Sequence, residues 1–423
     1  MKDFFNKITL VFQDAVLRKR IFFTLFALIL FRVLAAIPIS GIDEGRLAQF
    51  FSDNQFLGLL NVFSGGGLSQ LSIVMLGVGP YITGSIIMQL LTIMSPKLKA
   101  MYQEDGEAGR RKFTQYGRLV TVPLALLQAF SFIKILESQQ IISSLSGLGL
   151  ATNLIVITAG SLLLMWIGEM VSEYGIGNGV SLIIFAGIVA ALPTSIGQLF
   201  FAFDPSQIPI YLALIVVAAI VIVLVVIITE AERPIPIVQA KQVRGNRVYG
   251  GGSSYLPLRI NQAGVIPIIF ALSILLFPQM ILQFLQNVNN EVIKSVSSAV
   301  LNILANSWFY GIAYFFLVFI FTYFYTAVTF DPDQISTNLQ KNGSFIPGVR
   351  PGKSTSDHIS RILTRLTLVG ALFLGVIAVL PLIVAQTTGI TAISVGGTSL
   401  LIVVSVVIDL IKKVDAQVSI REY

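Results

Sequence analysis

The chain has 423 residues, 55% of them hydrophobic and only 12% charged, where a soluble domain carries about a quarter charged; this is a membrane protein. It has no cysteine and a single histidine, His358, which excludes disulfide frameworks, thiolate nucleophiles, iron–sulfur sites and any mechanism that needs two imidazoles. The 28 basic and 21 acidic residues give a formal +7, and in a membrane chain the placement of that charge across the bilayer matters more than its sum.

Residues 1–20 place Phe4, Phe5, Ile8, Val11, Phe12 and Ala15 at helical spacing, as either an amphipathic cytoplasmic interface helix or an ordinary packing helix. A transmembrane helix needs about 20 apolar residues. Runs of that kind fall at roughly 21–39, 71–94, 118–136, 150–171, 179–203, 208–229, 263–285, 309–330, 365–388 and 393–411. The run from Ile21 is too long for a signal-peptide core and no small-residue cleavage site follows it, so a mature helix is expected. Before the second run stands a half-apolar, glycine-laden segment at 61–70, read either as a re-entrant packing turn or as a movable element in a cavity. Pro80, Pro123, Pro193, Pro267 and Pro278 lie within runs and predict kinked helices. The connections 230–262 and 331–364 are rich in glycine, proline and basic residues, too short for independent domains and suited to docking. A tail, 412–423, closes the chain.

All but four of the basic residues, Arg32, Arg46, Lys134 and Lys294, fall in the two tails and in the connections after the second, sixth and eighth runs. The positive-inside rule therefore predicts that both termini and the long basic loops are cytoplasmic. Ten spans divide into halves of five, 21–205 and 206–411, and an odd number per half makes the second enter from the opposite face, as in inverted repeats.

Ion-coupled carriers place titratable groups in mid-span. Here Arg32 lies within the first run, while Glu169, Glu230 and Asp409 sit near run ends, where snorkelling or interfacial pairing is expected. Gly352-Lys353-Ser354 mimics the end of a phosphate-binding loop, but Pro347 occupies the required glycine position and no strand is expected before it. Thr83, Ser85, Gln89, Gln128, Asn261 and Gln262 read as interhelical hydrogen-bonding groups, each worth roughly 1 kcal/mol or less. No catalytic residue, metal site or cofactor is expected.

The block at 71–91, with Gly77-Val78-Gly79-Pro80-Tyr81-Ile82, resembles the second transmembrane segment of the SecY family of protein-conducting channel subunits. Blocks at 165–185, 256–267, 345–352 and 396–402 continue the resemblance in the same order along essentially the whole chain. The resemblance implies an all-α polytopic membrane protein, ten transmembrane helices in two inverted five-helix halves forming a clamshell around an hourglass pore. It places Val78, Ile82, Ile184, Ile188, Ile269 and Ile402 in an apolar pore ring, with Val78 smaller than the family's usual isoleucine. It makes 61–70 a plug, including Asn61, Phe63, Ser64, Gly65, Gly66, Gly67 and Leu68, and sets Gln89 and Asn261 along a lateral gate. Arg350 matches the family position for a motor ATPase, and Lys241, Arg244 and Arg247 fall in the loop that meets motor or ribosome. The partners implied are the small subunits SecE and SecG, the motor SecA, the ribosome, signal sequences, nascent polypeptides and lipid. Unfolded preproteins would cross the bacterial cytoplasmic membrane, and apolar segments would leave sideways by partitioning, without bond chemistry. The alternative from the residues alone is a secondary transporter of an uncharged solute.

Overall fold

The computed structural model describes residues 14–39, 61, 64, 66–68, 70–138, 140–142, 146–201, 208–239, 242–244, 247–249, 252–286, 290–388 and 392–419. Most of the expected N-terminal helix, 1–13, lies outside them, as do Phe63, Gly65 and Lys241. A helix falls on each of the ten apolar runs: α1 (Ala15–Ala35), α2 (Gly79–Met94), α4 (Gly106–Ser138), α5 (Gly147–Tyr174), α6 (Gly179–Phe201), α7 (Ile208–Glu230), α8 (Ile266–Leu285), α10 (Ser307–Thr329), α12 (Lys353–Thr388) and α13 (Ala392–Ser419). Three shorter helices join them: α3 (Pro96–Gln103), α9 (Glu291–Ala305) and α11 (Pro332–Lys341). Among the described residues, six helices are long and apolar enough to cross a membrane by that test alone, and α2 is a shorter apolar helix.

Local chemistry sets the helix ends. Asp14 caps α1, its carboxylate accepting from the Val16 and Leu17 amides at 2.7 and 3.2 Å. The second span begins at Gly79 and not at 71, because Pro80 occupies the first turn of α2, where its missing N–H costs nothing. Pro80 is therefore a helix starter, and Pro267, one residue into α8, is another; Pro123, Pro193, Pro278 and also Pro381 lie inside helices. Residues 71–78 form successive turns, with Leu71 fully buried at φ 41°. Irregular backbone at apolar depth must find partners within the protein. Ile39 donates to Leu71 O and Ile73 to Ile37 O, both at 2.9 Å, and the Ser161 hydroxyl of α5 donates to Gly77 O at 2.9 Å.

The chain forms two compact units. The first comprises Met1–Leu214, Leu272–Tyr310 and Pro381–Tyr423. There α2 packs on α4, α4 on α5, and α6 against both α5 and α13. An apolar cluster beside the turns joins Leu71, Met75 and Leu76 to Phe132, Ile133 and Leu136 of α4. The second unit comprises Ile215–Ala271 and Gly311–Leu380. Its loops carry strands that the glycine and proline content did not announce: β1 (Glu232–Gln239), β2 (Gln242–Arg244), β3 (Arg247–Tyr249), β4 (Ser253–Arg259) and β5 (Ser344–Phe345). β1 lies between β4 and β5, antiparallel to both, while β2 and β3 pair as a hairpin between β1 and β4. Ile235 and Leu258 of this sheet pack with Ile346 and Ile359.

Candidate pore, plug and docking surface

All six positions expected in the ring are buried, none exposing more than 6% of its surface. Val78 is the residue before α2 and Ile82 lies in its first turn; Ile184 and Ile188 are one turn apart on α6, and Ile402 is on α13, which packs on α6. These five belong to the first unit and Ile269, on α8, to the second. Branched apolar side chains hold no charge or hydrogen bond that could grip a polar chain, and a constriction built from them dewets.

The described part of the segment expected as a plug is held by local hydrogen bonds. The Ser64 hydroxyl donates to Asn61 O at 3.0 Å and accepts from the Leu68 amide at 2.9 Å. The Gly66 amide donates to Asn61 O at 2.8 Å, and Gly67 O accepts from Ser72 at 2.9 Å. Gly66 has φ +82°, a conformation that costs glycine little and L-residues more. Leu68, 2% exposed, joins the apolar cluster formed by α4 and the turns. Arg32, in the last turn of α1, reaches this segment: a Cβ on Gly66 would stand 3.4 Å from its Nη1.

Gln89 on α2 and Asn261 at the foot of α8 fall in different units. Among the described residues neither side-chain oxygen, both buried, finds a hydrogen-bond donor, and the Asn261 amide nitrogen donates to Gly264 O at 3.2 Å. An unmet acceptor at apolar depth is costly to keep.

Glu169 is paired, as one reading of its run-end position anticipated. Arg118 Nη2 stands 2.9 Å from Glu169 Oε2, and Nε donates to Oε1 at 2.9 Å, a two-point bond that ties α4 to α5. Tyr81 of α2, beside ring position Ile82, has Ser85 and Glu169 within reach of its hydroxyl. Sequence reasoning missed this junction because its members are 51 residues apart and Arg118 lies well inside α4, not at a helix start. Lys134, an exception to the positive-inside pattern, bonds Glu137 at 2.6 Å.

The docking candidates gather on the second unit. Arg244, which ends β2, and Arg247, which begins β3, are cross-strand partners. The hairpin is a separate two-stranded sheet between β1 and β4 in sequence, and β1 also pairs with β5 through Val238 and Phe345. Five residues after Phe345, Arg350 stands exposed in a turn flanked by Gly348 at φ +81° and Gly352 at φ +94°. Buried Ile346 anchors this turn to the sheet, the Thr355 hydroxyl donates to Arg350 O at 2.8 Å, and the Ser336 hydroxyl to Gly352 O at 2.6 Å. The two long loops thus form one structure.

Comparison with known proteins places this geometry. The SecY family model matches residues 72–411. The protein translocase subunit SecY of Corynebacterium glutamicum is 40% identical, with 97% of this chain and 97% of that protein covered. Its counterpart in Synechocystis is also 40% identical, with 97% and 94% covered. Among solved structures, a protein-conducting channel matches with TM-score 0.66 at 20% identity, covering 95% of this chain and 92% of that one. Sec61 from a canine ribosome–channel complex matches with TM-score 0.63 at 19% identity, covering 96% and 93%. The last two speak to the fold, and the first three settle the family: the chain belongs to the SecY family.

Proposed function

We infer that this chain is the pore-forming subunit of a protein-conducting channel, passing unfolded preproteins across the membrane and releasing sufficiently apolar segments sideways into lipid. The near-full-length relationship to protein translocase subunits carries this reading, and it disfavours the solute carrier. The buried apolar positions around Ile82, Ile184 and Ile402 support a seal that obstructs ions when empty and imposes no sequence preference on a passing chain. Sorting between crossing and lateral exit is partitioning: each central Leu or Ile favours lipid by about 0.3 to 0.6 kcal/mol and each central charge costs about 2.5 to 3.5.

The finer assignments follow the same reading. Residues 21–205 and 206–411 are inverted halves, 61–70 is the plug, and the seam that opens includes Gln89 and Asn261. The membrane is the bacterial cytoplasmic membrane with both termini inside, because the basic residues gather on that side. SecE and SecG complete the channel; SecA or the ribosome docks on Lys241, Arg244, Arg247 and Arg350 and supplies the energy. The test is reconstitution of the chain with those small subunits in vesicles, with motor and ATP, following protection of a signal-bearing preprotein from added protease. ATP-dependent protection is expected; none, from an assembled complex with active motor, would overturn the reading and direct attention to solute uptake.

A further inference from the structure

The helix α9, between spans α8 and α10, shows three faces around one axis. At 3.6 residues per turn, Ile293, Ser297, Leu301 and Leu304 line up, and all four are buried or half-buried. Glu291, Lys294, Ser295 and Asn302 form a second, exposed polar face. Val292, Val296, Val300 and Ile303 form the third, and it is apolar yet bare: Val292 is 72% exposed, Val296 58% and Ile303 52%. A packed helix needs only the first two of these faces.

What covers the third face follows from how α9 is held. Asn290 caps its start, accepting from the Val292 and Ile293 amides at 3.1 and 3.4 Å. At the other end one residue, Asn306, separates it from α10 and also caps that span, accepting from the Trp308 and Phe309 amides at 3.0 and 3.4 Å. The helix is thus fixed at the mouth of a span, in the connection between the seventh and eighth apolar runs, which the positive-inside rule assigns to the side away from the basic loops. Exposed Trp308 and Phe309 follow directly, in the residue class that settles at bilayer interfaces. Within α9 the charges of Glu291 and Lys294 cancel, so attachment rests on apolar burial and not on headgroup charge.

We propose that α9 is an interfacial membrane helix, its Val292–Val296–Val300–Ile303 face seated at the headgroup–acyl boundary of the leaflet opposite the basic loops. It would anchor the mouth ends of α8 and α10 to lipid. That lipid contact stands apart from the transport reading.

The chain lacks cysteine, so V296C, I303C, S295C and N302C each give a single labelling site. Each variant, assembled with the small subunits and monodisperse, is labelled with bimane and placed in phosphatidylcholine vesicles with or without phosphatidylglycerol. Acyl-brominated lipid should quench labels at 296 and 303 at least about twofold more than those at 295 and 302, and aqueous iodide should give the reverse order. Neither order should change when phosphatidylglycerol is omitted. Equal iodide quenching at all four sites would put the apolar face in water and overturn the proposal. Shielding of 296 and 303 from both quenchers would also overturn it, by showing a protein partner or a second copy on that face. Because this readout involves no transport, it can fail while the channel reading holds, and the reverse.

Discussion

Arg32 and Gly66 are close neighbours: a methyl group on Gly66 would lie 3.4 Å from the guanidinium Nη1 of Arg32. A basic residue in the last turn of α1 also suits the negative end of that helix. In the plug reading, Arg32 holds the segment seated, so Arg32→Ala should raise ion leak through the reconstituted channel several-fold in planar-bilayer recordings. Gly66→Ala should act the same way, since a left-handed L-residue costs roughly 1 to 2 kcal/mol. Unchanged leak in both variants would separate Arg32 from closure.

Ile402 is 1% exposed on α13. Ile402→Asn puts an amide where nothing apolar can satisfy it, at a cost of about 1 to 3 kcal/mol, and invites water into the constriction. Ion leak should rise and preproteins with defective signal sequences should gain passage in an export assay, while Ile402→Leu leaves both near wild type. If Asn and Leu behave alike, this position does not seal a pore.

Hydrophobicity told where spans run but not how the backbone travels within them. Residues 71–78 are as apolar as a helix, yet Pro80 sets the start of α2 and the preceding residues turn instead. β1 was illegible for the opposite reason: Pro234 and Pro236 argue against a strand, and only Ile235 within it is buried. A search for runs of about 20 apolar residues also passes over α9, whose apolar positions recur every third or fourth residue. The ring, plug and docking assignments rest on family resemblance alone, because a buried isoleucine looks the same in a seal and in a core. The contact of Arg118 with Glu169 and the closeness of Arg32 to Gly66 are tertiary and left no local signal.

The Arg118–Glu169 bond has good geometry but a half-exposed partner, with side-chain exposures of 47% and 17%. Solvent screening limits its worth to about 1 kcal/mol. A double-mutant cycle of Arg118→Ala and Glu169→Ala, read by thermal unfolding in detergent, should give a coupling energy near that value. Additive effects of the two substitutions would mean that the pair contributes nothing to holding α4 on α5.

Gln89 buries a side-chain oxygen that finds no donor among the described residues. Gln89→Leu removes that cost and keeps similar bulk, so under the proposed gate assignment the closed seam should gain up to about 1 kcal/mol. A better-sealed seam demands a more apolar passenger, and in a graded series of test segments the midpoint for membrane insertion should move toward more leucines. A shift toward fewer leucines would contradict the placement of Gln89 on the opening seam.

Arg350 is exposed, and its turn is held by neighbours: buried Ile346, the Ser336–Gly352 bond and the Thr355–Arg350 backbone bond. Arg350→Glu should therefore leave thermal stability unchanged while reversing the charge offered to a docking partner. Motor-driven export in vesicles should fall at least about tenfold, and Arg350→Lys should fall less, because the ammonium keeps the charge but loses the planar two-point bond. Raising salt should weaken wild-type docking and narrow the gap to the Glu variant, since screening removes the attraction and the repulsion together. Export by Arg350→Glu at the wild-type rate would remove Arg350 from the docking surface and leave the β2–β3 hairpin to account for it.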